Sequence, residues 1–201
     1  QILPINDTTS SHEWTDSYPY SAISVFALHP QYLRIDDLAY AMPSAFQQEI
    51  VAARKRLNQL DQIDYEAVMA VKSKLTRQIF DKHRKTITTG KGFQDFLKAN
   101  GEWVVPYAVF CLKRDHYVSA DFTCWEEWAV FDREKVHAFA NPVHPQWDVV
   151  SYHVWLQYEL DLQLADAVHH LHSRHLALKG DLPIGIDRES VDAWSAPQLF
   201  K

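Results

Sequence analysis

The sequence predicts an α/β fold, an incomplete TIM-type (β/α) barrel that carries a large, mainly helical insertion. A long helical pattern over 147–174 has a wide apolar face of the kind that packs on a sheet. The apolar run Leu176–Leu178 follows it and is bounded by Gly180 and Pro183, which is typical of a buried parallel strand. The chain has 201 residues and only 5 glycines. A complete eight-stranded barrel takes about 250 residues, so we expect part of one.

The composition is that of a folded domain with an acidic surface. Hydrophobic residues make up 47% and charged residues 23%, which excludes a disordered chain. The formal net charge of −6 argues against a nucleic-acid partner. No run approaches the length of a membrane span, and no signal-peptide pattern opens the sequence. Cys111 and Cys124 are the only cysteines and imply no disulfide framework. We therefore expect a cytoplasmic protein without nucleic-acid or membrane partners.

The chain divides into three predicted segments. Residues 1–42 begin with Gln1–Ile5, an apolar run that resembles the end of a barrel strand, and continue into a binding loop. Residues 43–145 form the mainly helical insertion, in which Ser44 and Gln47 have the spacing of a capping box. Residues 146–201 supply a barrel helix, a strand and a substrate loop. Within the insertion, helices are predicted over 44–57, 65–87, 93–99, 103–115 and 132–139, with irregular structure over 117–131.

An aromatic loop, residues 6–21, follows the first predicted strand end. It presents rings at Trp14, Tyr18 and Tyr20, and Pro19 stiffens the backbone between the last two. Aromatic faces suit the apolar faces of sugar rings, although aromatic side chains also fill protein cores. A second polar stretch, the aspartate loop of residues 180–190, follows the predicted strand at 176–178. Asp181 there would lie at the strand's carboxyl end, where α/β folds hold ligands.

Both ends of the chain resemble one known family. The opening stretch QILPINDTTSSHEWTDSYPYSAISVFALHPQYLRI and the later stretch GDLPIGIDRESVDAW are similar to the amylomaltase, or disproportionating-enzyme, family of 4-α-glucanotransferases (glycoside hydrolase family 77). The resemblance is closest to the branch with the W-x-DSYPYS and SVFALHP patterns. The two stretches lie in the family's order, so the chain is identified as the N-terminal part of such a catalytic domain.

The resemblance implies a fragment of a 4-α-glucanotransferase. The parent enzyme would transfer α-1,4-glucan segments to the 4-hydroxyl of an acceptor sugar by a retaining double displacement, without a metal or organic cofactor. The family's catalytic carboxylates match no stretch of this chain, so we expect no catalytic residue here and no activity from the isolated chain. Arg34–Asp37 resembles the family's nucleophile motif, but its position is wrong and the motif's His is absent.

The resemblance also assigns substrate-binding residues. Tyr20 would pack beside the sugar next to the scissile bond, and Asp181 would contact bound glucan. From the residues alone, Asp181 could equally be a turn residue that accepts backbone N–H groups. Trp14 and Tyr18 share the loop with Tyr20 and are further candidates, although the spacing of Trp14 departs from the shorter-loop relatives. Ser190 matches the second motif and either binds substrate or braces its loop.

Two alternatives remain at this level. A non-catalytic helical interaction module, or a carbohydrate-binding module, would place the function in the helical insertion or restrict it to binding. The imidazoles of His169, His170, His172 and His175 could begin a zinc site, but no Cys or Glu joins them at ligand spacing, and a solvated helix end is the better interpretation. An unpaired barrel edge would also allow a homodimer.

Overall fold

The computed structural model describes residues 1–200, which fold into six α-helices joined by short 3₁₀ turns and extended segments. The helices are α1 (Ser44–Leu57), α2 (Tyr65–Thr89), α3 (Lys91–Tyr117), α4 (Arg133–Ala138), α5 (Trp147–Ser173) and α6 (Val191–Ser195). Within residues 1–200, no helix combines the length and apolar character needed to cross a membrane.

The core lies between α3 and α5, with α2 packed against both. The middle of α3, residues 104–114, is buried on every side, as expected of a helix surrounded by others. The first half of α5 is buried in the same way, while its second half extends into solvent. Aromatic rings fill much of the interior. The largest of the fully buried side chains are Trp125, Trp155, Trp194, Tyr107, Phe80, Phe93 and Phe110.

Most of the helices predicted from periodicity are confirmed. Those expected over 44–57, 65–87, 132–139 and 147–174 correspond to α1, α2, α4 and α5. The start of α1 differs in detail, because Pro43 occupies the N-cap position and no side chain caps the helix. In α2 the cap is Asp64, whose carboxylate accepts the Ala67 N–H at 2.9 Å. The irregular segment expected over 117–131 contains two short 3₁₀ turns.

The prediction of two helices, 93–99 and 103–115, is wrong, since α3 runs through both without a break. The stop signal at Asn100 fails because its side chain bonds inside the helix, donating to the Phe96 carbonyl and accepting from the Trp103 indole, each at 3.1 Å. A glycine in a helix interior costs about 1 kcal/mol and a proline about 3 kcal/mol. Burial of residues 104–114 on all sides offsets the cost of Pro106, whereas Gly101 lies just outside this buried stretch.

The strand predicted for Leu176–Leu178 does not form, and residues 1–200 contain only an isolated antiparallel bridge between Asn6 and Leu28. The segment after α5 is extended, and Lys179 accepts a backbone bond from the Ile2 N–H at 3.0 Å. A parallel strand needs a continuous ladder on its neighbour, and this single bond does not supply one. The α/β expectation is therefore not met by residues 1–200, which are mainly helical.

Candidate functional site

The predicted site residues Tyr20 and Asp181 are in contact, although 161 residues separate them in the chain. The Tyr20 hydroxyl donates to Asp181 Oδ2 at 3.0 Å, and both side chains are half-buried. The hydrogen bond to the Asp181 carboxylate is the main reason that the pKa of Tyr20 is raised. The pair therefore joins the aromatic loop to the aspartate loop and presents a carboxylate and a phenol ring together at the surface.

Hydrogen bonds from the aspartate loop and α6 to the segment just after the aromatic loop explain why this pair meets. Asp187 donates its N–H to the Ala22 carbonyl, and Val191 donates to the Ile23 carbonyl, each at 2.9 Å. The Val25 N–H donates to the carboxylate of Asp192 at 2.7 Å. These bonds hold the aspartate loop along the segment that follows Tyr20. The contact between the two loops therefore does not depend on the Tyr20 hydroxyl alone.

The other rings of the aromatic loop are presented to solvent. Trp14 opens a short 3₁₀ turn and is 69% exposed, and Tyr18 is 58% exposed. The Tyr18 and Tyr20 rings lie 5.7 Å apart between centroids and are tilted by 53°. Pro19 lies in the tight turn between them, which closes with a bond from the Ser21 N–H to the Tyr18 carbonyl at 3.3 Å. The Tyr18 and Tyr20 rings therefore form an aromatic surface beside the Asp181 carboxylate.

Ser190, predicted as a possible binding residue, is fully buried and does not line the surface. Its hydroxyl accepts the Ala193 N–H at 3.1 Å and caps α6. Trp194, one turn further on, is also buried, and its indole N–H donates to the Trp128 carbonyl at 2.9 Å. Ser190 therefore fixes the backbone where the aspartate loop enters α6.

A buried polar network holds the start of the aromatic loop against the helices. The Tyr107 hydroxyl donates to Asp7 Oδ2 at 2.6 Å, and Arg114 donates to the Thr9 carbonyl at the same distance. Further along, His12 bonds Asp115 at 2.9 Å. Burial alone would raise the pKa of Asp115, but the hydrogen bond from His12 and the charge of Arg114 outweigh it and hold that pKa well below its usual range. The network thus contains a permanent carboxylate on α3.

Sequence reasoning missed this network and two glutamines on α5. Gln157 accepts the Leu28 N–H at 2.8 Å and donates to the Leu28 carbonyl at 2.9 Å. Gln163 makes the same pair of bonds to the backbone of Arg34. Each side-chain amide pairs with the N–H and the carbonyl of one backbone residue, as a residue on a neighbouring strand would. A polar residue inside the apolar face of α5 was the available signal for Gln157.

Other groups considered from sequence do not form a site in the part of the chain that the structure describes. Asp36 is ion-paired with Arg54 and Asp37 with Arg34, near the surface. The imidazoles at 169, 170, 172 and 175 are exposed near the end of α5. Across residues 1–200, no three His, Cys, Asp or Glu side chains are placed to hold a metal ion.

Comparison with known proteins assigns the family. Residues 1–201 match the profile of the family described as Glyco_hydro_77: 4-alpha-glucanotransferase. The chain belongs to this family. It is 43% identical to 4-alpha-glucanotransferase DPE2 of Oryza sativa subsp. japonica over 201 residues, which is all of this chain and 21% of the rice protein. It is 31% identical to 4-alpha-glucanotransferase of Chlamydia muridarum, of which it covers 36%.

Solved structures of family members share the fold. An amylomaltase from Streptococcus agalactiae in complex with acarbose superposes with a TM-score of 0.73 at 22% identity, covering 100% of this chain and 39% of that one. Amylomaltase from Corynebacterium glutamicum gives a TM-score of 0.57 at 21% identity, covering 95% of this chain and 26% of that one. The chain therefore has the fold of one part of a glycoside hydrolase family 77 enzyme and spans well under half of its relatives' length.

Proposed function

We propose that this chain is the substrate-binding, N-terminal part of the catalytic domain of a 4-α-glucanotransferase, acting on α-1,4-glucans or maltooligosaccharides. The contact between Tyr20 and Asp181 carries the proposal. Two positions that the family resemblance assigns to glucan binding lie at opposite ends of the chain and meet at one surface. The acarbose complex of the Streptococcus agalactiae amylomaltase supports a glucan-like ligand.

In this proposal the site binds sugar through a shared carboxylate and a set of rings. Tyr20 holds Asp181 Oδ2. Within residues 1–200 no donor is bonded to Oδ1, which would accept a sugar hydroxyl. The Tyr20 and Tyr18 rings would pack on the apolar face of a glucose unit, and the exposed Trp14 ring would extend the platform. Ser190 would act indirectly, by fixing the aspartate loop.

We further propose that the extended segments at 1–5 and 176–180 are neighbouring parts of a (β/α) barrel. The bond from the Ile2 N–H to the Lys179 carbonyl supports this arrangement. Residues 43–145 would then be a helical insertion between the binding loop of 1–42 and the barrel elements of 146–201. A cytoplasmic location and a homodimer formed through the open barrel edge belong to the same proposal. Sedimentation of the purified chain tests the dimer.

The proposed reaction is a retaining double displacement that passes α-1,4-glucan segments to the 4-hydroxyl of an acceptor sugar. It needs a nucleophile and an acid/base carboxylate about 5 Å apart. Asp36 and Asp37, in the motif-like segment, are ion-paired with Arg54 and Arg34. We therefore assign no catalytic carboxylate to this chain, and we expect no disproportionation when the 201-residue chain is incubated with maltotriose.

Binding of maltoheptaose, followed by Trp fluorescence, tests the site. Tyr20→Phe and Asp181→Asn should each weaken binding about three- to tenfold, since a typical hydrogen bond contributes about 0.5–1.5 kcal/mol net and both side chains are only half-buried. Tyr117→Phe is the matched control, because Tyr117 also donates to a carboxylate, that of Glu126, at 3.5 Å. It should bind as the unmodified chain does.

The outcomes separate the alternatives. Equal binding by all three variants would contradict the assignment of Tyr20 and Asp181. No binding by the unmodified chain would contradict the glucan site and favour a helical interaction module. Production of shorter and longer oligosaccharides from maltotriose would overturn the assignment of the catalytic carboxylates to other parts of the parent enzyme.

A further inference from the structure

We infer that His12 is a positioning residue for the aromatic loop, and that it acts by tying the loop to α3 through Asp115. The inference rests on the proposed glucan site, because the loop carries Trp14 and Tyr20. It also gives the helical insertion a role, since residues of the insertion would set the geometry of a binding surface outside it.

The backbone at His12 is the first observation. Its φ is 65°, in the left-handed region that ordinary side chains rarely adopt. Such a conformation persists only where the surroundings hold it. Here the His12 N–H donates to Asp16 Oδ2 at 2.6 Å, and the ring Nε2–H donates to Asp115 Oδ1 at 2.9 Å. The residue is therefore fixed at both its backbone and its ring.

The partner of His12 is rigid. Asp115 lies near the end of α3 and also accepts from Arg114 Nε at 2.8 Å. Arg114 is buried, and its second bond runs to the Thr9 carbonyl of the same loop. The His12 and Asp115 side chains themselves are both partly exposed, at 57% and 44%. Asp115 is thus held by the buried Arg114, while the exposed His12 ring can be replaced without removing a buried group.

The space behind the loop explains why a single contact matters. A cavity of about 470 Å³ lies between the loop and helices α2, α3 and α5, and His12, Thr9 and Asp115 line part of it. The loop is consequently held by separate polar contacts instead of continuous packing on this side. The next contact along the chain is the bond from the Trp14 N–H to Glu66 of α2, at 2.9 Å. His12 and Trp14 therefore connect the loop to two different helices.

Two replacements of His12 with side chains of similar size distinguish the effect of the bond to Asp115 from the effect of the backbone conformation. His12→Gln keeps an N–H donor that can reach Asp115, and His12→Leu removes it, while both keep a side chain at the same left-handed position. His169→Leu, at an exposed position on α5, is the control for added surface hydrophobicity. Amide hydrogen exchange in the 201-residue chain without ligand reports the loop directly, through the N–H groups of Ser11, His12 and Trp14.

We expect His12→Leu to accelerate exchange of these amides about two- to fivefold, the range for a partly exposed charged contact. Exchange in the middle of α3 should not change. His12→Gln should restore slow exchange, and His169→Leu should match the unmodified chain. The dissociation constant for maltoheptaose should rise two- to fivefold for His12→Leu only. A general loss of stability would instead accelerate exchange in α3 as well.

Unchanged loop exchange in His12→Leu would overturn the inference, as would maltoheptaose binding equal to that of the unmodified chain. Failure of His12→Gln to rescue would also overturn it, because the donor would then be irrelevant. Absence of maltoheptaose binding by the unmodified chain is a different result, since it refutes the proposed glucan site while the exchange measurements still decide whether His12 holds the loop.

Discussion

Replacing Gln157 should destabilise the chain far more than replacing the chemically equivalent Gln163. Gln157 is 1% exposed, and its amide pairs with both the N–H and the carbonyl of Leu28. It also donates to the Tyr107 hydroxyl at 3.3 Å. Methionine has a similar length and shape but no such donor or acceptor. Gln157→Met therefore leaves both Leu28 backbone groups without a protein partner.

The expected loss of stability follows from the number of backbone groups that the substitution leaves without a hydrogen-bond partner. A buried donor or acceptor without a partner costs about 1–3 kcal/mol, and the two Leu28 groups are partly buried. We expect the free energy of unfolding to fall by about 2–4 kcal/mol, counting two groups at the lower part of that range. Gln163→Met should cost about 1 kcal/mol or less, because its bonds to Arg34 are exposed and water can replace them.

Urea unfolding followed by circular dichroism measures both variants. The midpoint should shift for Gln157→Met with an unchanged slope, which indicates a change in stability and not in the surface exposed on unfolding. Equal losses for the two variants would refute the reasoning, because burial would then not distinguish them. A loss below 1 kcal/mol for Gln157→Met would show that Leu28 finds other partners.

Three further predictions concern single sites. Burial raises the pKa of the Cys111 thiol to about 12, so iodoacetamide should label only the exposed Cys124 in the folded chain and both thiols after unfolding. Gly101 lies inside α3 with open space around it, so Gly101→Ala should raise stability by about 0.5–1 kcal/mol and raise the melting temperature. Burial lowers the pKa of His153 to about 4, so the unfolded chain binds a proton there between about pH 6.5 and pH 4 that the folded chain does not. Stability should fall with decreasing pH across that window, and His153→Gln should show a shallower fall.

The helices could be predicted from the sequence because their apolar spacing is a local property. The helical patterns over 147–174 and 65–87 needed no knowledge of the rest of the chain. The break predicted at Asn100 and Gly101 was wrong because the Asn100 side chain bonds within the helix and the buried stretch over 104–114 continues it. The strand at Leu176–Leu178 was wrong for a related reason, since an apolar run forms a strand only where a neighbour offers a ladder.

The residues of the candidate site also fall into two groups, those that a local motif identifies and those whose contacts join distant parts of the sequence. Tyr20 and Asp181 were proposed from motifs at opposite ends of the chain, and the structure places their side chains in contact. The residues that hold the loops could not be found, because their partners are distant in sequence. Asp7 and Tyr107 lie 100 residues apart, and Leu28 and Gln157 lie 129 apart. No spacing rule connects such pairs.

These distant pairs indicate how a mainly helical region can support a loop-based site. The aromatic loop contacts α3 through Asp7, Thr9 and His12, and contacts α2 through Trp14. The segment after it bonds to α5 through Leu28. All of these contacts except that of His12 with Asp115 use a backbone group or a buried charge, so the loop has few freely rotating links to the helices. Because Tyr20 lies between these two attached segments, movement of the helices relative to one another would move the tyrosine and, through its hydrogen bond, Asp181.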